Sequence, residues 1–541
     1  MKYRNHFIVS LAAIAPLAAL AQQTITISPL NKTHIQVEYQ LPKQCTETKL
    51  QERYEGRAPG LRKDWQPLDN CSLLSNGDTI SMPKGCHRSR FSVPMSTAFI
   101  DRVEPVAYPM DDLGVRVHTG TFGLTDTCGD TTWIFSSPNG SVVMESGVYS
   151  KRAKASLSKE DYLNYTGVYL SYKPMKKGTQ QVFTKTVPPE LITTFKDGQQ
   201  KLSDYYQKTY PTIPFTSAFL LVDNIISNGF GSQAEVTSPH MIRIGYVGWS
   251  PERITDTRHM QAHEYAHLLQ PKRNASTSPF FHEGGAEFIS LKANYHLGWI
   301  SKDTFSENIS SAIQSCINLS DNKKWDELKY AFGRIPYTCG LAMHILALAS
   351  RQQPETAEQT LAQYYASKLD DAHFAQAIEC GSLPVCTPVF TTEFTGNTKS
   401  ITSVIIGALE RLKLVTHLDY ASPTDHYNSA ASTAFANLMI EDCKGTDFYT
   451  KQNYFQTGDM LTCNSIPKNS TISTINGIDY FANPDAAIDA QNQGCSANHK
   501  VVLGDGKNAT LEIPCTKTTP KTYYSIDIDK LLMLLDKRAT H

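Results

Sequence analysis

The feature of this sequence that most constrains its fold is a pair of histidines four residues apart, His263 and His267, with Glu264 between them. The stretch between Asp256 and Pro271 suits a helix of about four turns, because aspartate is a good N-cap and proline ends helices. Side chains four residues apart share one helix face, so both imidazoles can bind one metal ion. Glu264 lies one step round that face, where it can act as a general base without being a ligand. The alternative is a solvated helix face on which these residues meet by chance.

A second segment downstream offers the remaining ligand. Zinc in a catalytic site takes three protein ligands and keeps a fourth position open. Glu283 and Glu287 lie four residues apart in a segment that Ser278 and Pro279 open as a helix, with serine as the cap and proline in the first turn. We assign Glu283 as the third ligand of one zinc ion and Glu287 as the acceptor of the second N–H of a ligand histidine. The reverse assignment of the two glutamates stays open, and His282 is interpreted as a cleft or packing residue.

These segments resemble the motifs of the gluzincin metallopeptidases, the clan of thermolysin, aminopeptidase N and leukotriene A4 hydrolase. The segment His263-Glu264-Tyr265-Ala266-His267 is similar to the clan's H-E-x-x-H motif. Glu283-Gly284-Gly285-Ala286-Glu287-Phe288 is similar to its later N-E-G-F-A-type helix, whose first glutamate is the third ligand. The gap between His267 and Glu283 is a few residues shorter than in those enzymes, which predicts a tighter connection. The resemblance implies hydrolysis of peptide bonds by a zinc-activated water.

A third segment adds a candidate oxyanion donor. Ile335-Pro336-Tyr337-Thr338-Cys339-Gly340 precedes an apolar helix and is similar to the P-Y-x-x-G segment of aminopeptidase relatives. The resemblance implies that the Tyr337 hydroxyl stabilises the tetrahedral oxyanion, a hydrogen bond worth about 10² to 10³ in rate. The alternative is a tyrosine that packs by its ring at a helix start. Tyr295 and His296 are weaker candidates and are interpreted as structural.

The substrate-binding residues are not evident from the sequence. Aminopeptidases of this clan carry a G-x-M-E-N segment whose glutamate binds the free amine of the substrate. The nearest stretch here, Phe230 to Glu235, keeps a glutamate and loses the rest of the pattern, and the segment around it, Gly229 to Ser238, is also typical of a hairpin turn. The sequence therefore favours an endopeptidase that acts on a peptide or protein, with an aminopeptidase that has an atypical amine anchor as the alternative. An exported adhesin or binding protein with a peptidase-like core, and an epoxide hydrolase on the same zinc site, stay open.

The N-terminus indicates export. Lys2 and Arg4 give a positive start, Phe7 to Leu20 is mostly apolar, and Ala19-Leu20-Ala21 fits a signal-peptidase site. We expect a secreted or periplasmic protein without a membrane span, because no later apolar run is long enough for one. Lysine and arginine total 51 against 52 aspartates and glutamates, so the net charge gives no support to nucleic-acid binding. The sequence makes no prediction of oligomeric state.

The sequence contains 12 cysteines, and an even number in an exported chain favours disulfides. The spacing suggests three local pairs: Cys380 with Cys386, Cys443 with Cys463, and Cys495 with Cys515.

The whole pattern predicts a multidomain α+β chain. Residues 1–21 form the signal peptide, and residues 22–188 form a β-rich N-terminal domain in which short alternating runs are broken by Gly, Pro and Asn. Residues 189–395 form the mainly helical gluzincin catalytic domain with a small antiparallel sheet. Residues 396–541 form a C-terminal, disulfide-containing β-rich module.

Overall fold

The structure of the chain is a computed structural model. It describes residues 23–536 except 52–61, 98–105, 126–130, 145, 158–166, 177, 214–217, 226–230, 238–239, 271–276, 321–322, 332, 368–370, 419–423, 444–445, 452, 459–461, 508–509, 517 and 519–522. The signal-peptide prediction lies outside the described residues. No helix in the described part of the chain is long and apolar enough to cross a membrane.

The N-terminal region is built from β-strands. They are β1 (Gln23–Pro29), β2 (His34–Gln40), β3 (Glu47–Lys49), β4 (Gln66–Pro67), β5 (Leu73–Ser75), β6 (Thr79–Ser81), β7 (Arg88–Pro94), β8 (Ala107–Met110), β9 (Gly114–His118), β10 (Thr131–Met144), β11 (Gly147–Ser156) and β12 (Gly167–Ser171). Nine of them form one sheet in the order β4-β7-β2-β1-β10-β12-β9-β8, with β11 paired to β10, and β3-β6-β5 form a second sheet. Alternate residues of β1, such as Ile25 and Ile27, are buried between these layers, as the period of two in the sequence predicts.

The middle region is mainly helical. Its elements are β13 (Gln181–Phe183), α1 (Pro189–Thr209), β14 (Phe219–Ile225), β15 (Gly231–Thr237), β16 (Met241–Val247), α2 (Ile254–His267), α3 (Pro279–His296), α4 (Lys302–Ser320), α5 (Trp325–Leu328), α6 (Arg334–Ala349), α7 (Ala357–Ala366), α8 (Phe390–Thr395) and α9 (Ile401–Arg411). The apolar segment that begins at Leu341 lies in α6, which is buried along most of its length, and the surrounding helices pack around it.

The small sheet of this region differs from the prediction of an antiparallel sheet. Its order is β13-β14-β16-β15, and β13, β14 and β16 run parallel; only β15 is antiparallel to its neighbour. The reason is connectivity, since α1 links β13 to β14 and a helix of this length allows a parallel crossover. The described part of the stretch that was interpreted as a possible hairpin turn, Gly231–Thr237, is the edge strand β15.

The edge strand is tied to the N-terminal region by buried charges. Glu235 on β15 forms an ion pair with Arg116 of β9, whose side chain is fully buried. One strand further in, Arg243 lies 3.3 Å from Asp223, and the Tyr108 hydroxyl donates to the same carboxylate at 2.5 Å. Because both arginines are buried, each needs a carboxylate partner. The N-terminal region therefore fixes the position of the sheet beside α2.

The C-terminal region is mixed rather than β-rich. Its elements are β17 (Val415–Leu418), α10 (Thr424–Cys443), β18 (Phe448–Thr450), β19 (Phe455–Thr457), β20 (Thr471–Ile472), β21 (Thr474–Ile475), β22 (Ile478–Asp479), α11 (Pro484–Gln493), β23 (Lys500–Gly504), β24 (Thr510–Pro514), β25 (Tyr523–Ile526) and α12 (Ile528–Asp536). The β-rich prediction missed α10, α11 and α12. Leu531 and Leu535 of α12 are fully buried in the helical core of the middle region, because the apolar residues of this short helix share one face.

All three predicted disulfides are confirmed: Cys380–Cys386, Cys443–Cys463 and Cys495–Cys515. The structure adds Cys71–Cys86 and Cys316–Cys339. The last pair joins α4 to α6 and so fixes the helix that carries Tyr337. The domain boundaries stay predictions.

Candidate metal centre

Two helices, α2 and α3, carry the residues of the predicted zinc site. Helix α2 begins at Ile254, so Asp256 lies in its first turn, 3.5 Å from Arg253, and is not the N-cap that the sequence predicted. The predicted stop at Pro271 lies outside the described residues. Helix α3 begins as expected, with Pro279 in its first turn and the Ser278 hydroxyl accepting a hydrogen bond from the Phe280 N–H.

The side chains of His263, His267 and Glu283 meet at one point. The two histidine Nε2 atoms lie 3.1 Å apart. Glu283 Oε2 lies 3.3 Å from Nε2 of His263 and 3.4 Å from Nε2 of His267. A tetrahedral ion that keeps about 2.0 to 2.1 Å to each ligand needs ligand atoms about 3.3 Å apart. The triangle therefore has the size that tetrahedral zinc requires.

The contacts of the two Nδ1 atoms explain why the three ligand atoms need a cation between them. Nδ1 of His267 lies 2.7 Å from Gln270 Oε1, and Nδ1 of His263 lies 3.0 Å from Glu287 Oε1. Both partners are acceptors, so each Nδ1 is the donor, and a ring in its neutral form has its lone pair on Nε2. Two lone pairs at 3.1 Å, with a carboxylate oxygen beside them, repel one another unless a positive ion lies between them. The donor set thus fits zinc.

Glu287 connects the ligand His263 to a third histidine of α2. Its second oxygen, Oε2, lies 3.1 Å from Nε2 of His259, one helical turn before His263. The carboxylate therefore contacts two imidazoles through its two oxygens. This geometry is the one expected of a residue that orients a ligand.

Gln270 has the same relation to His267. Its amide nitrogen donates to the His282 carbonyl at 2.8 Å and to the Tyr365 hydroxyl at 3.3 Å, which fixes the side-chain oxygen toward His267. The His282 ring stacks on the His267 ring, with centroids 4.2 Å apart. Both contacts limit rotation of the ligand imidazole.

The charges of the cluster favour a cation at its centre. Burial alone would lower the pKa of His263, but the carboxylates of Glu287, Glu283 and Glu264 outweigh burial and hold that pKa well above its ordinary value. Burial alone would raise the pKa of Glu283, but the hydrogen bonds and charges of the two histidines hold it well below the usual range. A positive charge at this point, whether a proton or a metal ion, is stabilised by the surrounding carboxylates.

Glu264 is buried beside the ligands and provides the candidate base. It follows His263 on α2, and its charge contributes to the raised pKa values of both His263 and Tyr337. The carboxylate therefore lies near the ligand triangle without belonging to it. Glu264 was predicted in this position from its place in the motif.

Tyr337 lies above the ligand His263, with ring centroids 5.6 Å apart, and is 41% exposed. The charge of Glu283 and burial raise the pKa of the Tyr337 hydroxyl well above its ordinary value, so the phenol keeps its proton and can donate a hydrogen bond.

The other sequence candidates lie elsewhere. Tyr295 stacks on Phe305 and His296 stacks on Tyr205, which are packing contacts. The carboxylate of Glu235 is paired with Arg116.

Sequence reasoning missed His259, Gln270 and Gly340. His259 could have been found from the four-residue spacing to His263, which continues the stripe of histidines on α2. Gln270 is a neutral side chain after the end of the helix, and no sequence pattern marks it. Gly340 lies at the crossing of α6 and α3, where a side chain would overlap the backbone of Gly284.

Comparisons with known proteins give distant structural likenesses. No family model matches the chain, and no curated protein matches it. The structure is similar to an M1 zinc metallopeptidase from Deinococcus radiodurans, with 11% identity, 67% of this chain and 91% of that chain covered, and a TM-score of 0.38. A two-domain M1 zinc metallopeptidase is similar at 10% identity, covering 72% of this chain and 93% of that one, with a TM-score of 0.37. Yeast LTA4 hydrolase is similar at 14% identity, with 78% of this chain and 72% of that chain covered and a TM-score of 0.38.

Proposed function

We propose that this chain is an exported zinc peptidase that cuts within peptide chains. The observation that carries the proposal is the ligand triangle: two Nε2 lone pairs and one carboxylate oxygen at mutual distances of 3.1, 3.3 and 3.4 Å, beside the buried Glu264. Three protein ligands with a carboxylate that is not a ligand are what metal-assisted hydrolysis requires.

Each residue of the site has a definite task in this reaction. A bound zinc ion would supply a Lewis acid that lowers the pKa of a water molecule and polarises the scissile carbonyl. Glu264 would take the proton of that water and deliver it to the leaving amine. The Tyr337 hydroxyl would donate to the carbonyl oxygen as it gains negative charge. Glu287 and Gln270 would hold the two ligand imidazoles in place.

The surroundings of Glu235 favour an endopeptidase over an aminopeptidase. An aminopeptidase needs a carboxylate for the free amine of its substrate, and Glu235 is the acidic residue of the edge strand beside α2. Its charge is already balanced by the fully buried Arg116. Releasing Glu235 would break a buried ion pair, which costs several kcal/mol, roughly 3 to 5. We therefore expect the enzyme to accept substrates whose amine is blocked.

Paired peptides test this proposal. Each peptide of a mixed-sequence set is prepared with a free and with an acetylated N-terminus, and the products are identified by mass spectrometry. Wild type is compared with Glu264→Gln, which removes the base, and with Glu307→Gln, the same substitution at an exposed position of α4. We expect internal cuts in both members of each pair by wild type and by the control, and at least a 100-fold loss in Glu264→Gln.

The other outcomes identify the alternatives. Stepwise loss of N-terminal residues from free peptides alone would indicate an aminopeptidase with another amine anchor. No cleavage by zinc-loaded wild type would favour a binding protein with a peptidase-like core. Export is tested separately, because a mature N-terminus at Gln22 is expected for protein isolated from outside the cytoplasm.

A further inference from the structure

A positively charged side chain precedes the candidate oxyanion donor on the same helix. Arg334 is the first residue of α6, one helical turn before Tyr337, and its side chain is exposed. Residues three apart on a helix are neighbours on its surface, with about 5 to 6 Å between their Cβ atoms. The guanidinium therefore belongs to the same side of α6 as the phenol that lies over His263.

The C-terminal region holds Arg334 in this place. The guanidinium lies over the Phe448 ring, with its carbon 5.8 Å from the ring centroid. Phe448 itself packs against both the helical core and the core of the C-terminal region. Gly333, just before α6, has a positive φ of 77° and leaves room for Thr446, whose Oγ1 would lie 3.1 Å from an added Cβ. The start of α6 and residues 446–448 thus contact each other.

The guanidinium of Arg334 is available for a ligand. Among the described residues, no carboxylate pairs with it, and its contact is the face of Phe448. An exposed guanidinium without a carboxylate partner is a ready binding site for one, because its planar fork donates hydrogen bonds to both oxygens.

We propose that Arg334 binds a carboxylate of the peptide substrate close to the scissile bond. The inference rests on the proposed peptidase function and names its substrate class: peptides with a negative charge near the cut. An extended peptide advances about 3.3 to 3.6 Å per residue, and Arg334 lies one helical turn, about 5 Å, from Tyr337. The bound carboxylate is therefore that of an acidic side chain or of a free C-terminus within about two or three residues of the cut.

Matched peptides distinguish the two sources of the carboxylate. One pair differs by a single Glu or Gln near the cut, and another pair by a C-terminal acid or amide. Turnover is measured with wild type, Arg334→Gln and Arg334→Lys, and with Arg88→Gln, the same loss of charge at an exposed site of β7. Binding of fluorescent versions of the same peptides is measured by anisotropy with two proteins. One is the Glu264→Gln variant, and the other combines Glu264→Gln with Arg334→Gln.

We expect wild type to prefer one acidic member of a pair by about 10- to 100-fold in kcat/KM, the range of a charge-assisted hydrogen bond. Arg334→Gln should abolish this preference in turnover and in binding, Arg334→Lys should keep part of it, and Arg88→Gln should keep all of it. A preference for internal Glu identifies a side-chain subsite, and a preference for the free acid identifies an anchor for the C-terminus.

Equal turnover of all four peptides by an active wild type would overturn the inference and leave the peptidase proposal intact. If wild type cuts no peptide, the peptidase proposal fails. In that case the anisotropy comparison alone tests the carboxylate site. Equal binding of the acid and amide peptides would overturn the proposed site.

Discussion

Gly284 and Gly340 touch through their backbones: a Cβ added to Gly284 would overlap the Cα and the carbonyl group of Gly340. Gly284 follows the ligand Glu283 on α3, and Gly340 lies one turn after Tyr337 on α6. The crossing of these two helices therefore sets the distance between the ligand triangle and the candidate oxyanion donor.

Replacing Gly284 by alanine should force α3 and α6 apart. Overpacking of a close helix contact costs about 1 to 3 kcal/mol, and the displacement of Tyr337 should lower kcat/KM more than the loss of folded protein explains. Gly407→Ala is the matched control, because an added Cβ at Gly407 meets only the flexible end of Arg411 at 3.6 Å. That variant should be neutral or gain up to about 1 kcal/mol. Thermal unfolding and steady-state kinetics measure both effects, and equal behaviour of the two variants would show that the crossing tolerates separation.

The sequence predicted that His263, His267 and Glu283 meet at one point because their spacing is local. His263 and His267 lie one turn apart on one helix, and Glu283 follows a serine and proline that start the next helix. Three disulfides were found for the same reason, since their cysteines are near neighbours in the chain. By contrast, the contact between Gly284 and Gly340 joins two helices distant in sequence, and the glycine pair alone does not identify its partner.

The missed elements had weak local signals. The edge strand β15 alternates small and polar residues and has one neighbouring strand, so it lacks the apolar run that marks a buried strand. Helix α12 is only nine residues long, and its existence depends on burying Leu531 and Leu535 in a core built by other helices. Gln270 contacts His267 and the His282 carbonyl only when α2 and α3 lie side by side, so no local pattern marks its role.

Removing the amide of Gln270 should weaken metal binding without removing a ligand. Gln270→Leu leaves Nδ1 of His267 without its acceptor and frees the ring to rotate. We expect a 10- to 100-fold loss of zinc affinity, the range of residues that orient ligands. Gln200→Leu, on the exposed side of α1, is the control. Competition with a zinc-binding dye measures the zinc affinity of both variants. Unchanged affinity in Gln270→Leu would assign the orientation of His267 to the stacked His282 instead.

His344 should make the fold sensitive to acid. It is fully buried on α6, its Nδ1–H donates to the Gly340 carbonyl at 2.9 Å, and burial lowers its pKa to about 4. Between pH 6.5 and about 4 the unfolded chain binds a proton that the folded chain does not, so stability falls as the pH falls through this range. The full shift corresponds to about 3 kcal/mol.

The pH effect is measured as the difference in free energy of unfolding between pH 7 and 4.5. Wild type and His344→Leu are compared after zinc removal, so that protonation of the metal ligands contributes equally to both. The wild type should lose about 2 to 3 kcal/mol more than the variant. The same pH dependence in both proteins would mean that His344 is protonated in the folded state.

The C-terminal helix should contribute to the stability of the catalytic region. Leu531 is fully buried in the helical core, whereas Met533 on the same helix is 59% exposed. Arg351 also donates to the Leu534 and Leu535 carbonyls, at 2.9 and 2.8 Å, which binds the end of α12 to the helical region. Leu531→Ala should therefore cost about 2 to 5 kcal/mol, and Met533→Ala no more than about 0.5 kcal/mol. Urea unfolding compares them, and equal small effects would contradict the docking of α12.

The most direct test of the metal centre is the zinc content of purified protein, measured by plasma mass spectrometry on wild type, Glu264→Gln, Glu283→Gln and Glu287→Gln after dialysis against a weak chelator. The site geometry predicts about one zinc ion per chain in wild type and in Glu264→Gln, a partial loss in Glu287→Gln, and a near-complete loss in Glu283→Gln. Full zinc in Glu283→Gln together with its loss in Glu287→Gln would reverse the two glutamates, and no zinc in the wild type would contradict the metal centre itself.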